Sequence, residues 1–353
     1  MSGWFGPRGY GPIGLDLGTR SLKMLQFSAS GDRLIDAAKW DFPLTQGEVP
    51  SGEKRAALLA EALHSLRKGH GFRGREVALC VNDRELFTQN VRVPKCAGDE
   101  LRRLVHQEVA GRLPYSIGEA EIDFLESADV RQGEATLREV IVLACHRPLL
   151  DSLLGLVEKS GLKPVSVDVE PNALLRNYVR QLRREEDTRL RTLYVHMGYA
   201  KTAVVIAQGD DVLFLKYLDL GGIQFDKAVA RKLELDLADA AALRRTNGDR
   251  RAESQDPEIA RLLLEASRPV TERLASELAM CVRYHSVTFR GHPLVRFVLG
   301  GGEASPPLLE QLAKRLDLKA ELSDPFRAFP TAPQTGRRGQ WDVAAGLACR
   351  GLK

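Results

Sequence analysis

Apolar and polar residues alternate along "IGLDL" (13–17), break at a polar turn, and resume in "LKMLQF" (22–27) and "RLIDAAKWDFP" (33–43). That period predicts three consecutive strands. "EKRAALLAEALHSLRKGHG" (53–71) then places Leu58, Leu59, Ala62, Leu63 and Leu66 on one helical face, and "REVALCVN" (75–82) is again a strand. A different unit follows: strand "LFTQNVRVP" (86–94), helix "AGDELRRLVHQEVAGRLPY" (97–115), strands "AEIDFLES" and "TLREVIVLACH", and helix "RPLLDSLLGLVEKSG" (147–161). "KPVSVDVEPNALLRNYVRQLRR" (163–184) makes a strand and a helix, and the charged run "RREEDTRLR" a solvated connection. At Leu193 the opening pattern returns as strand, glycine turn, strand, turn, strand, so one hairpin motif occurs twice. Helices follow (223–235, 237–245 and 257–289), then the apolar strand "PLVRFVLGGG" (293–302), helix "SPPLLEQLAKRLD" (305–317) and a small-residue helix "WDVAAGLACRGL" (341–352).

Composition narrows the function classes. The chain has 353 residues, 44% hydrophobic and 28% charged, as a soluble globular protein of two or three domains would. No apolar run approaches the roughly 20 residues of a membrane span, and "MSGWFGPRGYGP" lacks the apolar core of a signal peptide. That opening reads as a flexible lead-in in which Trp4 and Phe5 are unusual. Five scattered cysteines without a CxxC argue for reduced thiols in a cytoplasm and against zinc. A net charge of +4, with both signs interleaved, gives no reason to expect nucleic acid.

Three stretches carry candidate chemistry. The turn Gly18-Thr19-Arg20-Ser21, with Asp16 before it and Lys23 after it, fits a phosphate cradle: backbone N–H groups, small hydroxyls and a cation. It also fits a plain hairpin with a polar turn. Asp16 could hold magnesium through water. Gly300, Gly301 and Gly302, between a strand and a helix, suit either a flat ligand on the backbone or an ordinary turn. Glu170 precedes Pro171 at a helix start, where a carboxylate is favourable. No Walker loop is present.

Taken in order, these stretches resemble the actin, heat-shock and sugar-kinase superfamily, and within it the PilM family of type IV pilus and related secretion machines, relatives of the division protein FtsA. "IGLDLGTRSLK", "ELRRLVHQEVAGRLPYSIGEAEIDF", "VIVLACHRPLLDSLLGLVEKSGLKPVSVDVEPNAL", "LDLGGIQFDKAVARKLEL", "FVLGGG" and "VAAGLACRGL" carry the resemblance. It implies an α/β, actin-like ATPase fold: duplicated RNase H-like halves, with an inserted α+β subdomain within the first. The implied division is a tail (1–12), subdomain 1A (13–81), inserted 1C (82–161), the rest of 1A with a linker (162–189), 2A (190–225), 2B (226–292), 2A again (293–334) and a C-terminal helix returning to 1A (335–353).

The resemblance further implies a nucleotide cleft at Asp16, Gly18, Thr19, Arg20, Lys23, His196, Gly198, Arg244, Gly300, Gly301 and Gly302, with Asp16 and Glu170 as catalytic candidates and ATP with magnesium as ligand. Two departures weaken it. Relatives have a "VDIG"-like second turn whose Asp helps hold the metal, whereas this chain has "VHMG", with His196 there. Magnesium prefers oxygen, so imidazole is a poor substitute. The "AExLK"-like stretch of relatives is "AAALR" here, with Ala241 for the glutamate and Arg244 for the lysine. The expectation is therefore a cytoplasmic adaptor, peripheral to the inner membrane through its partner, whose nucleotide is bound weakly or not at all and is not turned over usefully. Its implied partner is the N-terminal peptide of a PilN-like single-pass membrane protein, met at a groove near Val81, Arg84, Arg102, Arg103 and Arg112; self-association is a further implication, nucleic acid and direct membrane insertion are not. The competing readings are a slow active ATPase, a sugar or acetate kinase, and an FtsA-like filament former.

Overall fold

The computed structural model describes residues 9–44, 49–81, 84–132, 135–182, 184–249, 255–289, 292–327, 329 and 337–352. The readings on Trp4 and Phe5, and the module boundary at Asn82, lie outside them.

Strands β1 (Ile13–Leu17), β2 (Ser21–Phe27) and β3 (Leu34–Asp41) form an antiparallel meander. Helix α1 (Gly52–Gly69) follows, burying Leu59, Ala62, Leu63 and Leu66, and β4 (Glu76–Cys80) returns parallel to β1. A separate module interrupts here: β5 (Leu86–Pro94), α2 (Gly98–Val109), β6 (Ala120–Gln132) and β7 (Ala135–His146), an antiparallel sheet in the order β5-β7-β6. Helix α3 (Arg147–Lys159), β8 (Lys163–Asp168) and α4 (Glu170–Val179) complete the first half, whose sheet runs β3-β2-β1-β4-β8.

After the short α5 (Glu185–Thr188), the same plan repeats. Strands β9 (Arg191–Met197), β10 (Thr202–Gln208) and β11 (Asp211–Leu218) form the meander, and helices α6 (Gly222–Leu233), α7 (Leu237–Asp249) and α8 (Pro257–Thr288) follow. Strand β12 (Leu294–Gly300) lies parallel to β9, then come α9 (Pro306–Leu316), β13 (Ala320–Leu322) and α10 (Asp342–Ala348). The second sheet runs β11-β10-β9-β12-β13, the order of the first, as the repeated hairpin predicts. Helix α8 begins at an Asp256 cap whose Oδ1 accepts from the N–H groups of Glu258 and Ile259, and it runs through Pro269 without ending.

Two features differ from the sequence expectation. Helix α3 was expected inside the inserted module (82–161), yet its Val157, with Leu153, Leu154 and Leu156 beside it, packs into the first-half core of Ile13, Leu15, Leu63 and Leu79. An amphipathic helix shows which face it buries but not against which sheet. The module also does not stand apart. Its Leu86, Ile141, Leu143 and Cys145 share one apolar cluster with Cys80 and Leu174 of the first half and Tyr194, Val205 and Leu215 of the second. A buried carboxylate, Glu139 of β7, reinforces that junction: it accepts from Tyr284 Oη of α8 at 2.6 Å and from Arg92 Nε at 3.2 Å.

Helix α10 packs against α4 and β1. The approach is close enough that a Cβ on Gly346 would strike the Ala173 carbonyl, which is why this stretch is written in Ala and Gly. Its first residue, Asp342, is fully buried and accepts from Tyr178 Oη at 2.9 Å and Ser323 Oγ at 2.6 Å, directly behind the Gly300 turn.

Candidate functional site

The hairpin β1–β2 and its counterpart β9–β10 face one another across a cavity of about 360 Å³. The first turn enters it from one side. Arg55 of α1 donates to the Gly18 carbonyl at 2.9 Å and the Thr19 carbonyl at 3.1 Å. In a trans peptide the N–H points away from the carbonyl, so the N–H groups of Thr19 and Arg20 are turned from Arg55. Asp16, Gly18, Thr19, Arg20, Lys23, Glu170, His196, Gly198 and Gly302 all line the cavity, so the structure brings together nine of the residues expected from the sequence.

Others fall elsewhere. Gly300 backs onto Asp342 and Tyr178, behind the site. Gly301, at φ +94°, is needed for the tight passage of the chain over the Met197 backbone and does not line the cavity. Val81 is buried on the cleft floor rather than in a surface groove. Arg102 lies over the Phe124 ring, Arg103 is exposed on α2, and Arg112 pairs with Glu108 of that helix. Arg84 precedes β5.

The carboxylates of the cleft are engaged. Asp16 and Lys23 lie directly opposite in the hairpin register, and Lys23 Nζ donates to Asp16 Oδ2 at 2.8 Å with both side chains buried. Glu170 accepts from Tyr217 Oη at 3.2 Å. His196, 8% exposed, has its Nδ1 at 3.7 Å from Glu170 Oε1, with no hydrogen-bond partner. Burial, and then the nearby Lys23 ammonium, hold its pKa down at about 3, so the imidazole is neutral at physiological pH. It therefore cannot pair as a cation with a phosphate, and it offers magnesium a nitrogen without the negative charge and oxygen of a carboxylate. A magnesium ion asks for near-octahedral oxygen ligation, and this donor set, an ammonium-bound carboxylate beside a neutral imidazole, does not fit it.

Arg244 is tied up as well, and is not on the cavity wall. Its Nε donates to Asp226 Oδ1 and its Nη2 to Glu303 Oε2, each at 2.6 Å. Burial pushes the Glu303 carboxyl up, but Arg244, Arg245 and Arg337 outweigh it and bring the group down to about 2. A second, more apolar cavity of about 360 Å³ lies between α7, α8 and α9, lined by Phe225, Leu263, Pro306 and Leu308 among others. Glu303 and Arg337, paired at 3.8 Å, border both cavities. Sequence reasoning missed Tyr199, Arg245, Glu303 and Arg337. Only Glu303 left a trace, as a charge directly after three glycines.

Comparison with known proteins places this geometry. The family model described as "Type IV pilus assembly protein PilM" matches residues 14–352. A solved structure described as "PilM-PilN type IV pilus biogenesis complex" is 25% identical, with 97% of this chain and 99% of that chain covered and a TM-score of 0.77. The ethanolamine utilization protein EutJ from Carboxydothermus hydrogenoformans, at 14% identity, covers 98% of this chain and 91% of its own, with a TM-score of 0.57. A Bacteroides thetaiotaomicron protein described as having an actin-like ATPase fold and unknown function, at 10% identity, covers 99% of both chains with a TM-score of 0.50. The two halves, the inserted module and the match along nearly the whole sequence agree: the chain has the actin-like ATPase fold and belongs to the PilM family of type IV pilus assembly proteins.

Proposed function

We propose that this protein is an adaptor of a pilus-type assembly platform, that it binds the short N-terminal peptide of a PilN-like single-pass membrane protein, and that any nucleotide it holds is structural rather than turned over. One observation supports the loss of turnover: His196, buried and neutral, stands beside Glu170 at the position where the family resemblance implies a metal-holding Asp. The partner reading draws on the family and on the likeness to the solved PilM-PilN complex. The inserted module suits it in shape. Strand β5 is an edge strand, and an edge can accept an extended peptide by backbone pairing. No helix among the described residues is long and apolar enough to cross a membrane, so attachment to one would come through the partner.

The test is fluorescence polarisation with a labelled N-terminal peptide of the membrane protein encoded next door, with and without Mg-ATP. Equal affinity in both conditions is expected. Thr88→Trp and Asn90→Trp on β5 should abolish binding, while Gly18→Asp in the phosphate turn should change it little. Binding that appears only with nucleotide would refute the reading. Deleting the module is not a clean test, because Ile141 and Leu143 belong to the core shared with both halves.

A further inference from the structure

We infer that an extended, acidic segment of a partner protein docks at the end of the second sheet remote from the cleft, along strand β13 and in a pocket of about 420 Å³ lined from both halves. Arg180 and Arg184, at the end of α4 and just before α5, line it together with Arg296 of β12, Lys319 and Ala320. Strands β12 and β13 run parallel and begin here, whereas the other end of β12 leads into the glycines at the cleft. The pocket and the cleft thus lie at opposite ends of one strand.

The pocket holds more positive charge than it neutralises. Five cations line it against two carboxylates, Asp187 and Glu321. Both carboxylates are engaged. Arg296 has Nη2 at 3.8 Å from Asp187 Oδ1 and Nη1 at 3.6 Å from Glu321 Oε1, and Arg327 Nη2 donates to Glu321 Oε2 at 3.1 Å. Arg180 is fixed without a carboxylate, donating to the Gly31 carbonyl at 2.9 Å and to Cys349 Sγ at 2.6 Å. The side chains of Arg184 and Lys319 are exposed and have no partner among the described residues. Strand β13 closes its sheet on this side. Phe297 N donates to the Lys319 carbonyl and Ser323 N to the Leu299 carbonyl, so positions 319, 321 and 323 pair with β12 and the backbone groups of Ala320 and Leu322 point outward. Such an edge accepts an extended chain by backbone pairing, and carboxylates on that chain would meet the unpaired Lys319 and Arg184. A small-ligand site encloses its ligand, whereas these cations are exposed and come from separate stretches of chain, which suits a segment that meets them in turn.

Fluorescence polarisation on the full chain tests this with a labelled peptide of alternating Glu and Val, and with the same peptide carrying Gln for Glu. The acidic peptide is expected to bind with a Kd below about 100 μM at low salt, to weaken severalfold as the salt is raised, and to outbind the Gln peptide by about tenfold. Arg184→Glu and Lys319→Glu should each weaken it by about fivefold or more, whereas Lys314→Glu, the same charge change on the exposed face of α9, should not. Ala320→Pro removes an outward N–H without touching a bond to β12 and should also weaken it. Circular dichroism confirms that the variants fold. No binding, equal binding of the Gln peptide, unchanged affinity in Arg184→Glu and Lys319→Glu, or tighter binding of anionic phospholipid vesicles or of a single-stranded oligonucleotide would each overturn the inference. Lys319→Glu should leave binding at β5 unchanged, so the two surfaces stand or fall separately.

Discussion

Replacing Glu303 by Gln removes one negative charge from a buried cluster of three arginines, and the structure gives the size of the effect. The carboxyl goes from an ordinary 4.5 to about 2 in the folded chain. Such a group stabilises the folded state by about 3 kcal/mol when both states are ionised. That agrees with the roughly 3–5 kcal/mol expected when one partner of a buried pair is taken away. The sign follows from the lowered pKa: the contribution is complete above pH 4.5 and fades as pH falls toward 2. Arg244 holds a second carboxylate, and the two behave oppositely. Burial, the largest influence on Asp226, raises its pKa despite the 2.6 Å bond from Arg244, whereas Glu303 has two further arginines and ends low. Most of the stabilising charge is therefore assigned to Glu303. Asp226→Asn, which keeps an oxygen for Arg244, should cost less than about 1 kcal/mol. Urea unfolding followed by circular dichroism at pH 7 compares the two variants, with the denaturant slope checked for constancy. A loss below about 1 kcal/mol in Glu303→Gln, or a larger loss in Asp226→Asn, would refute this division of the charge.

Two other predictions concern the cleft and the module. His196→Asp returns an oxygen ligand beside Glu170 and should create a magnesium or manganese site visible by calorimetry; no heat of binding would show that Lys23 still withholds Asp16. Glu139→Gln leaves Arg92 and Tyr284 competing for a weaker acceptor and should cost about 2 kcal/mol. Its hydrogen exchange should rise together in β7 around Val140–Leu143 and in α8 around Met280–Ser286, and a rise confined to β7 would mean that the carboxylate does not join module to helix.

Much of the fold was legible because its signals are local. Alternation and glycine turns mark both meanders, and the single apolar stripe of α8 survives Pro269. The Asp16–Lys23 bond was legible in principle as well, since a hairpin closing at Leu17 and Leu22 sets 16 opposite 23. The rest depended on distant contacts. Nothing near position 196 reveals how dry it is, and its neutral state comes from burial first and from a lysine more than a hundred residues away second. Arg20, Tyr199 and Arg245 come to line one cavity only when the halves face each other. One groove residue was misplaced for the same reason: Val81 is adjacent in sequence to the module but lines the cleft.

The position of α10 bears on how the protein is made. Strand β1 and helix α4 pack against a helix that begins more than 160 residues after α4 and more than 320 after β1. During translation the amino-terminal half therefore emerges with an apolar face that nothing yet covers, and it keeps that face while the whole second half is synthesised. Long-range closure of this kind slows folding and leaves partly folded chains open to aggregation. Nascent chains halted before residue 342 should bind chaperones through the surface around Leu25, Phe27 and Ala173, and release should follow once the Trp341–Ala348 segment has left the ribosome.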